Sequence, residues 1–180
     1  MAIVTEVDLD TEKEYEIVDG HPEKKIMGGA RHGGVGVRLI IELGTYIKIN
    51  KLGRLYGPDT TFQIGLNERI PDIAFVSAER IPPEGEPEGK WRIPPDLAVE
   101  IISPTDLWNK VNPKVREYFA AGVRQVWLIS LEEREVRILN SPTAVTVLTE
   151  DEELTSALLP GFSCRIREIF QHPTRNQPSS

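Results

Sequence analysis

The chain has 180 residues, enough for one domain with a sizeable core. Twenty-one Lys and Arg stand against 28 Asp and Glu, a formal charge of −7, which excludes a protein coated all over with phosphate-binding cations. A lone Cys164 rules out an internal disulfide and any thiolate metal cage, and beside Phe162 it reads as a buried, inert thiol.

The first 14 residues form a polar, charged lead-in without a signal-peptide core, so a cytoplasmic protein is expected. No apolar run is long enough for a membrane helix, and no membrane partner is expected. Tyr15–Val18 reads as a short strand, Asp19-Gly20 as its turn, and residues 21–29 as the second arm of an N-terminal β-hairpin closed by Gly28-Gly29. From Ala30 to Asn50 the period becomes helical, with Val35, Leu39, Leu43 and Ile47 stepping by four and Ile40 widening the stripe. The glycines at 33, 34, 36 and 44 lower its helix propensity but permit close approach of another element.

Strands are expected at Gly53–Tyr56, Thr60–Ile64 and Ile73–Val76. Residues 80–95 are rich in Pro, Gly and Glu and read as a surface loop. Leu97–Ile102 is a nearly continuous apolar run, as in a central strand buried on both faces. A helix follows. Either it runs over Pro113–Ala121 with Asn112 as N-cap, or it starts near Asp106 and kinks at Pro113. Gln125–Ile129, Val136–Leu139 and Ala144–Leu148 look like an antiparallel meander, with Glu132-Glu133-Arg134 as its first turn. Residues 161–170 read as a final short helix, and residues 171–180 as a disordered polar tail. The pattern predicts a single domain over residues 1–170, of α/β (α+β) class, with a central mixed β-sheet flanked by helices.

Two acids interrupt this apolar pattern. Asp72 precedes Ile73-Ala74-Phe75-Val76, and Glu100 lies inside Leu97–Ile102. An acid in such surroundings needs a cation, a metal or donors. A divalent metal is the most productive choice, because it drives phosphodiester hydrolysis. Strand alternation sets Asp96, Ala98, Glu100 and Ile102 on one face, and small Ala98 leaves room beside Glu100. Many nucleases carry a lysine two residues after this glutamate, whereas Ile102 stands there. Lys114 is the best replacement and Lys110 a weaker one. A lysine in the first turn of a helix opposes the helix dipole, which points to an anionic neighbour. The structural alternatives are a turn-capping Asp72, a Glu100–Arg124 ion pair and an ordinary exposed Lys114. Asp96 is a minor metal candidate. Trp91, Trp108 and Trp127 offer surfaces for base stacking, with Trp127 better placed in the core. Arg31, Arg38, Lys48 and Lys51 could track phosphates, with a solvated helix face the better reading for Lys48 and Lys51.

Taken in order, Ile70-Pro71-Asp72-Ile73-Ala74-Phe75-Val76, Pro95 to Pro104 around Glu100, Lys114 to Val123 and Val126-Trp127-Leu128-Ile129 resemble the Uma-two family of restriction endonucleases. Tyr15–Gly20 and Leu159-Pro160-Gly161-Phe162 match as well, so the resemblance covers roughly residues 12–170. It departs at Ser130, where an aspartate is usual, and in the glycine-rich stretch around His32.

The resemblance implies a restriction-endonuclease-like core of PD-(D/E)XK type. Asp72 and Glu100 would be the metal ligands, joined by the backbone carbonyl after Glu100. Lys114 would be a catalytic lysine that migrated from strand to helix, His32 a further site residue, and Glu16 an acid of unassigned role. The expected cofactor is Mg²⁺ or Mn²⁺, the expected substrate partner DNA, and the expected assembly a homodimer. The rival readings are a non-catalytic, homodimeric nuclease-fold interaction module and a phosphodiesterase acting on a small nucleotide.

Overall fold

A computed structural model describes residues 15–25, 28–102 and 108–171, with residues 108–110 described by their backbone alone. The tail from 172, the Ser103–Leu107 segment and the side chains of Trp108 and Lys110 therefore lie outside the described residues. Strands β1 (Tyr15–Val18) and β2 (His21–Lys24) form the expected hairpin, turned by Asp19 and Gly20 at φ 50° and 78°. Helix α1 runs over Ala30–Asn50, as its apolar period predicts, and buries Val35, Leu39, Leu43 and Ile47. It ends on Lys51 in the left-handed conformation, whose N–H reaches back to Ile47 and Lys48 carbonyls.

Strands β3 (Gly53–Tyr56), β4 (Phe62–Ile64), β5 (Asn67–Arg69), β6 (Ile73–Ser77) and β7 (Leu97–Ile102) follow. Helix α2 spans Trp108–Ala121. Then come β8 (Gln125–Ser130), β9 (Glu135–Leu139), β10 (Val145–Leu148), β11 (Glu153–Thr155), β12 (Ser163–Arg165) and the short α3 (Ile166–Phe170).

One detail decides between two sequence readings and two correct them. α2 spans Trp108–Ala121 with Pro113 inside it, so Asn112 is no N-cap and the reading with the upstream start holds. The polar strand β5 was not expected at all. The 161–170 segment is helical only from Ile166, its first part pairing instead as β12 with β11.

The central sheet has six strands in the order β10-β9-β8-β7-β6-β3. β7 and β8 run parallel, joined through α2, while the other neighbours are antiparallel, so the sheet is mixed as expected. Side-chain alternation divides its buried residues between two cores. Leu97, Val99 and Ile101 of β7 pack with the α1 stripe, Trp127, Ile129 and α3. Ala98 packs on the other side with Phe62, Trp91, Val115, Tyr118 and Leu128. A central strand burying both faces has to be apolar at almost every position, which is why β7 and β8 were legible. Trp127 is fully buried and Trp91 stacks against Phe62, so both are core residues. Cys164 is buried too, and burial pushes its thiol up to about 12, as expected of an inert cysteine.

A second sheet, β2-β1-β5-β4, carries the hairpin. One glycine lies where α1 meets β7. A Cβ on Gly36 would come within 3.2 Å of Ile101 Cδ1, the flexible end of a side chain, so the contact there is close. His32, one turn earlier on α1, lies at the start of β6.

Candidate functional site

The β6–β7 register builds the site. Ile73 pairs with Val99 and Ala74 with Ala98, so one step outward on the same ladder Asp72 meets Glu100. A hydrogen bond records the closeness, the Ile101 N–H donating to Asp72 Oδ2 at 2.8 Å. Both acids sit where β6 begins and β7 ends. Crevices at the carboxyl ends of parallel strands are common ligand sites, and β7 is parallel to β8 here.

Polar nitrogens converge on these acids from three parts of the chain. His32 Nε2 of α1 is 3.1 Å from Asp72 Oδ2. Lys25, just after β2, places Nζ 3.0 Å from Asp72 Oδ1 and donates to the Ile70 carbonyl at 2.8 Å. Lys114 of α2 places Nζ 3.0 Å from Glu100 Oε1 and 2.9 Å from Glu16 Oε1. The Tyr118 hydroxyl, one turn along α2, donates to Glu100 Oε1 at 2.5 Å.

The four residues singled out from the sequence, Asp72, Glu100, Lys114 and His32, thus lie together. For Lys114 the dipole argument does not hold, although the anionic neighbours it pointed to are present. The helix begins at Trp108, so Lys114 falls in its second turn, where the dipole is weak. The anions it meets are Glu16 and Glu100.

Glu16 now has a visible role. It accepts the Ile70 N–H at 2.9 Å and pairs with Arg69 Nη1 at 2.9 Å. Arg69 in turn forks onto Glu117 of α2, with Nη2 2.7 Å from Oε2. Asn67 also donates to Glu117, and its carbonyl oxygen accepts the Asp19 N–H. Strand β5 therefore ties the hairpin to α2 and holds Glu16 beneath Lys114. Lys25, Tyr118, Arg69 and Glu117 were missed from the sequence. Lys25 carries no pattern in a polar hairpin arm, and Tyr118 reads as a core aromatic, which it also is.

The two acids are not alike electrostatically. Burial disfavours an ionised Asp72, yet the His32 hydrogen bond, the Lys25 charge and the Ile101 N–H hold its carboxyl well below the usual range. Glu100 goes the other way. Burial above all, with Asp72 and Glu16 beside it, raises its carboxyl in spite of Lys114. Burial works against Lys114 as well, but Glu100 and Glu16 keep its ammonium charged to higher pH than usual. A carboxylate raised by its surroundings has unsatisfied demand for positive charge, and such groups cluster at functional sites.

The expected structural rivals fall elsewhere. Arg124 does not pair with Glu100; it lies 3.5 Å from Asp96. Asp96 is fully buried, paired with Arg80 at 3.0 Å and accepting the Ser77 N–H at 2.8 Å, a bonded core acid too early in the strand for the site.

The donor set fits a hard dication. Two adjacent carboxylates supply oxygens, and Mg²⁺ commonly takes one or two carboxylates and leaves its other positions to water and substrate phosphates. No group of three His, Cys, Asp or Glu arranged to hold a metal occurs among the described residues. Nor is any helix among them long and apolar enough to cross a membrane.

Comparison with known proteins agrees with the architecture. The fold is similar to the crystal structure of a "putative nuclease belonging to DUF820" from Anabaena variabilis, with a TM-score of 0.79. The two chains are 22% identical, and the match covers 89% of this chain and 91% of the other, a likeness that shows the fold. No curated protein matches the chain. Residues 5–167 match the model of the Uma2 family, whose description reads "Putative restriction endonuclease", and the chain belongs to that family.

Proposed function

We propose that the protein is a metal-dependent endonuclease that hydrolyses DNA phosphodiester bonds. The observation that carries this reading is the meeting of Asp72 and Glu100 on one ladder position, with Lys114 Nζ 3.0 Å from Glu100. Asp72 and Glu100 would hold Mg²⁺ or Mn²⁺. When bound, the ion supplies Lewis-acid polarisation of the scissile phosphate and acidifies water. Lys114 orients the attacking water and offsets negative charge as the phosphorane forms. Glu16 and Tyr118 fix the Lys114–Glu100 pair from either side. His32 holds Asp72 through its Nε2 and would help to position the phosphate. Residues 1–170 would act as one domain, working in the cytoplasm. A homodimer suits the two-fold symmetry of a duplex substrate.

The test is cleavage of supercoiled plasmid in Mg²⁺ and Mn²⁺ by the full chain and by Asp72→Ala. Metal-dependent cutting by the former and none by the latter is expected. Equal cutting by both would refute the assignment.

One observation favours a second reading. Lys25 and Lys114 already neutralise the two acids, and the nearby Glu16, Glu117 and Arg69 form a nearly balanced network. A fold that kept this closed network without turnover would be a non-catalytic, homodimeric interaction module. Calorimetry with Mn²⁺ separates the two readings. Saturable binding lost in Glu100→Ala supports the enzyme, and no heat at millimolar metal supports the module.

A further inference from the structure

Away from the acids, three arginines meet in one shallow cleft lined by Arg31, Val35, Arg38, Leu131, Arg134 and Phe170. Each guanidinium is pinned by a main-chain carbonyl. Arg31 Nη2 donates to Leu131 O at 2.8 Å, Arg38 Nε to Ile169 O at 2.8 Å, and Arg134 Nη1 to Phe170 O at 3.4 Å. Arg134 also pairs with Glu150 and lies over the Phe170 ring at 5.3 Å. Arg31 and Arg38 meet no carboxylate among the described residues. In a chain with 28 acids and 21 Lys and Arg, two guanidiniums that share a cleft and meet no carboxylate among the described residues need an explanation.

Their placement supplies one. Arg31 and Arg38 are two helical turns apart on the α1 stripe that includes Val35, and a Cβ on Gly34 would stand 3.5 Å from Arg38 Nη1. The Arg38 guanidinium therefore folds back toward the start of α1, over a position kept small. Arg31 precedes His32, which touches Asp72. Its anchor Leu131 donates its N–H to the carbonyl of Ile102, two residues past Glu100. The cleft thus lies at the same end of the sheet as the acids, on the α1 side. A guanidinium has five N–H donors in a fork that matches phosphate oxygens, and one bond to a carbonyl orients it while leaving the others to a ligand.

The geometry points to a phosphate-gripping subsite for the nucleic-acid backbone in this cleft, with Arg31 and Arg38 as its principal contacts and Arg134 as a third. It rests on the nuclease reading and extends it. The strand would run past the Asp72–Glu100 pair and set a flanking phosphodiester against α1. The overall negative charge is then no obstacle, because the attraction is local.

The test uses the full chain in EDTA with a fluorescein-labelled duplex of about 20 base pairs, followed by anisotropy across a salt series. Arg31→Gln/Arg38→Gln is expected to weaken binding about tenfold or more and to lower the slope of log K against log salt by about 2, roughly 0.9 for each phosphate no longer neutralised. Lys48→Gln/Lys51→Gln, at the far end of α1, is expected to change neither. Because the arginines also hold main-chain carbonyls, a second measurement uses the unaltered protein. Bound duplex should protect Arg31 and Arg38 from phenylglyoxal, read by peptide mass spectrometry. Unchanged affinity and slope, or full modification in the presence of saturating duplex, would overturn the subsite. No cleavage is needed for either readout. Arginine-dependent binding without metal-dependent cutting would keep the subsite and end the catalytic reading, while unimpaired cutting by the double variant would do the reverse.

Discussion

Lys114 Nζ stands 3.0 Å from Glu100 Oε1 although the two residues belong to different elements, one on α2 and one on β7. On the proposed reading, the ammonium group that many nucleases place two residues along the strand comes here from the helix packed above it. Ile102, at that strand position, is half-buried against the α2-side core instead. On that reading, the apolar residue and the helix-borne lysine are two sides of one exchange.

This relationship predicts a rescue. Lys114→Met should lower single-turnover cleavage by about 100-fold or more, the usual loss when one stabilising group is removed from a charged transition state. Ile102→Lys added to Lys114→Met should recover part of that rate, since its side chain leaves the strand on the Glu100 face. A double variant no faster than Lys114→Met would show that the two positions do not exchange.

Lys25 gives a prediction of opposite sign. Its ammonium lies against Asp72 Oδ1, on the carboxylate that would take a metal. A unit charge at that range, partly shielded from water, opposes a second cation by about 1 kcal/mol or more. Lys25→Met should therefore tighten Mn²⁺ binding about tenfold by calorimetry. Weaker binding would mean that Lys25 orients Asp72 for the metal and does not compete with it.

How much could be read from the sequence depended on whether a residue's surroundings are local. α1 was legible because Val35, Leu39, Leu43 and Ile47 repeat with the helix, and β7 because both its faces are buried. β5 was not, since Asn-Glu-Arg has no strand signature and is held by Glu16 and Glu117, 53 and 48 residues from Arg69. Asn112-Pro113 imitates a helix start, so the sequence left two readings of α2 open, and the upstream start is the one the fold adopts. At the site, Asp72 and Glu100 showed as acids in apolar runs. Lys25 showed nothing, because only the third dimension brings it to Asp72.

Gly36 carries a packing prediction. Alanine there would meet only the flexible end of Ile101, at 3.2 Å, and would gain about 1 kcal/mol of helix propensity, so Gly36→Ala should be close to neutral. Gly36→Val adds two methyl groups at the α1–β7 contact and should cost about 1–3 kcal/mol. Urea unfolding checks both. If valine is tolerated as well as alanine, α1 has room to lift from β7 and its contact there does not set the position of His32.

Glu16 and Glu100 should answer the same substitution differently. The Glu16 carboxyl is lowered, since Lys114, the Ile70 N–H and Arg69 outweigh the burial that opposes its charge. An acid whose folded value lies below its unfolded one stabilises the protein above the unfolded value and loses that effect as pH falls through the folded one. Glu16→Gln should thus cost about 3 kcal/mol at pH 7 by leaving buried cations short of a partner. The gap from the parent should narrow as pH falls below 4.5, the ordinary value for this carboxyl. Glu100 is raised, so its charged form is disfavoured by folding, and that penalty is present at neutral pH and vanishes in acid. Glu100→Gln without metal should leave the melting temperature at pH 7 unchanged or higher, since Lys114 keeps Glu16. Thermal melts of both variants at pH 7 and pH 4 decide the matter. Equal losses from the two would make Glu100 one more strut in the ion-pair network, whereas a loss confined to Glu16→Gln marks Glu100 as the acid held ready for an added cation.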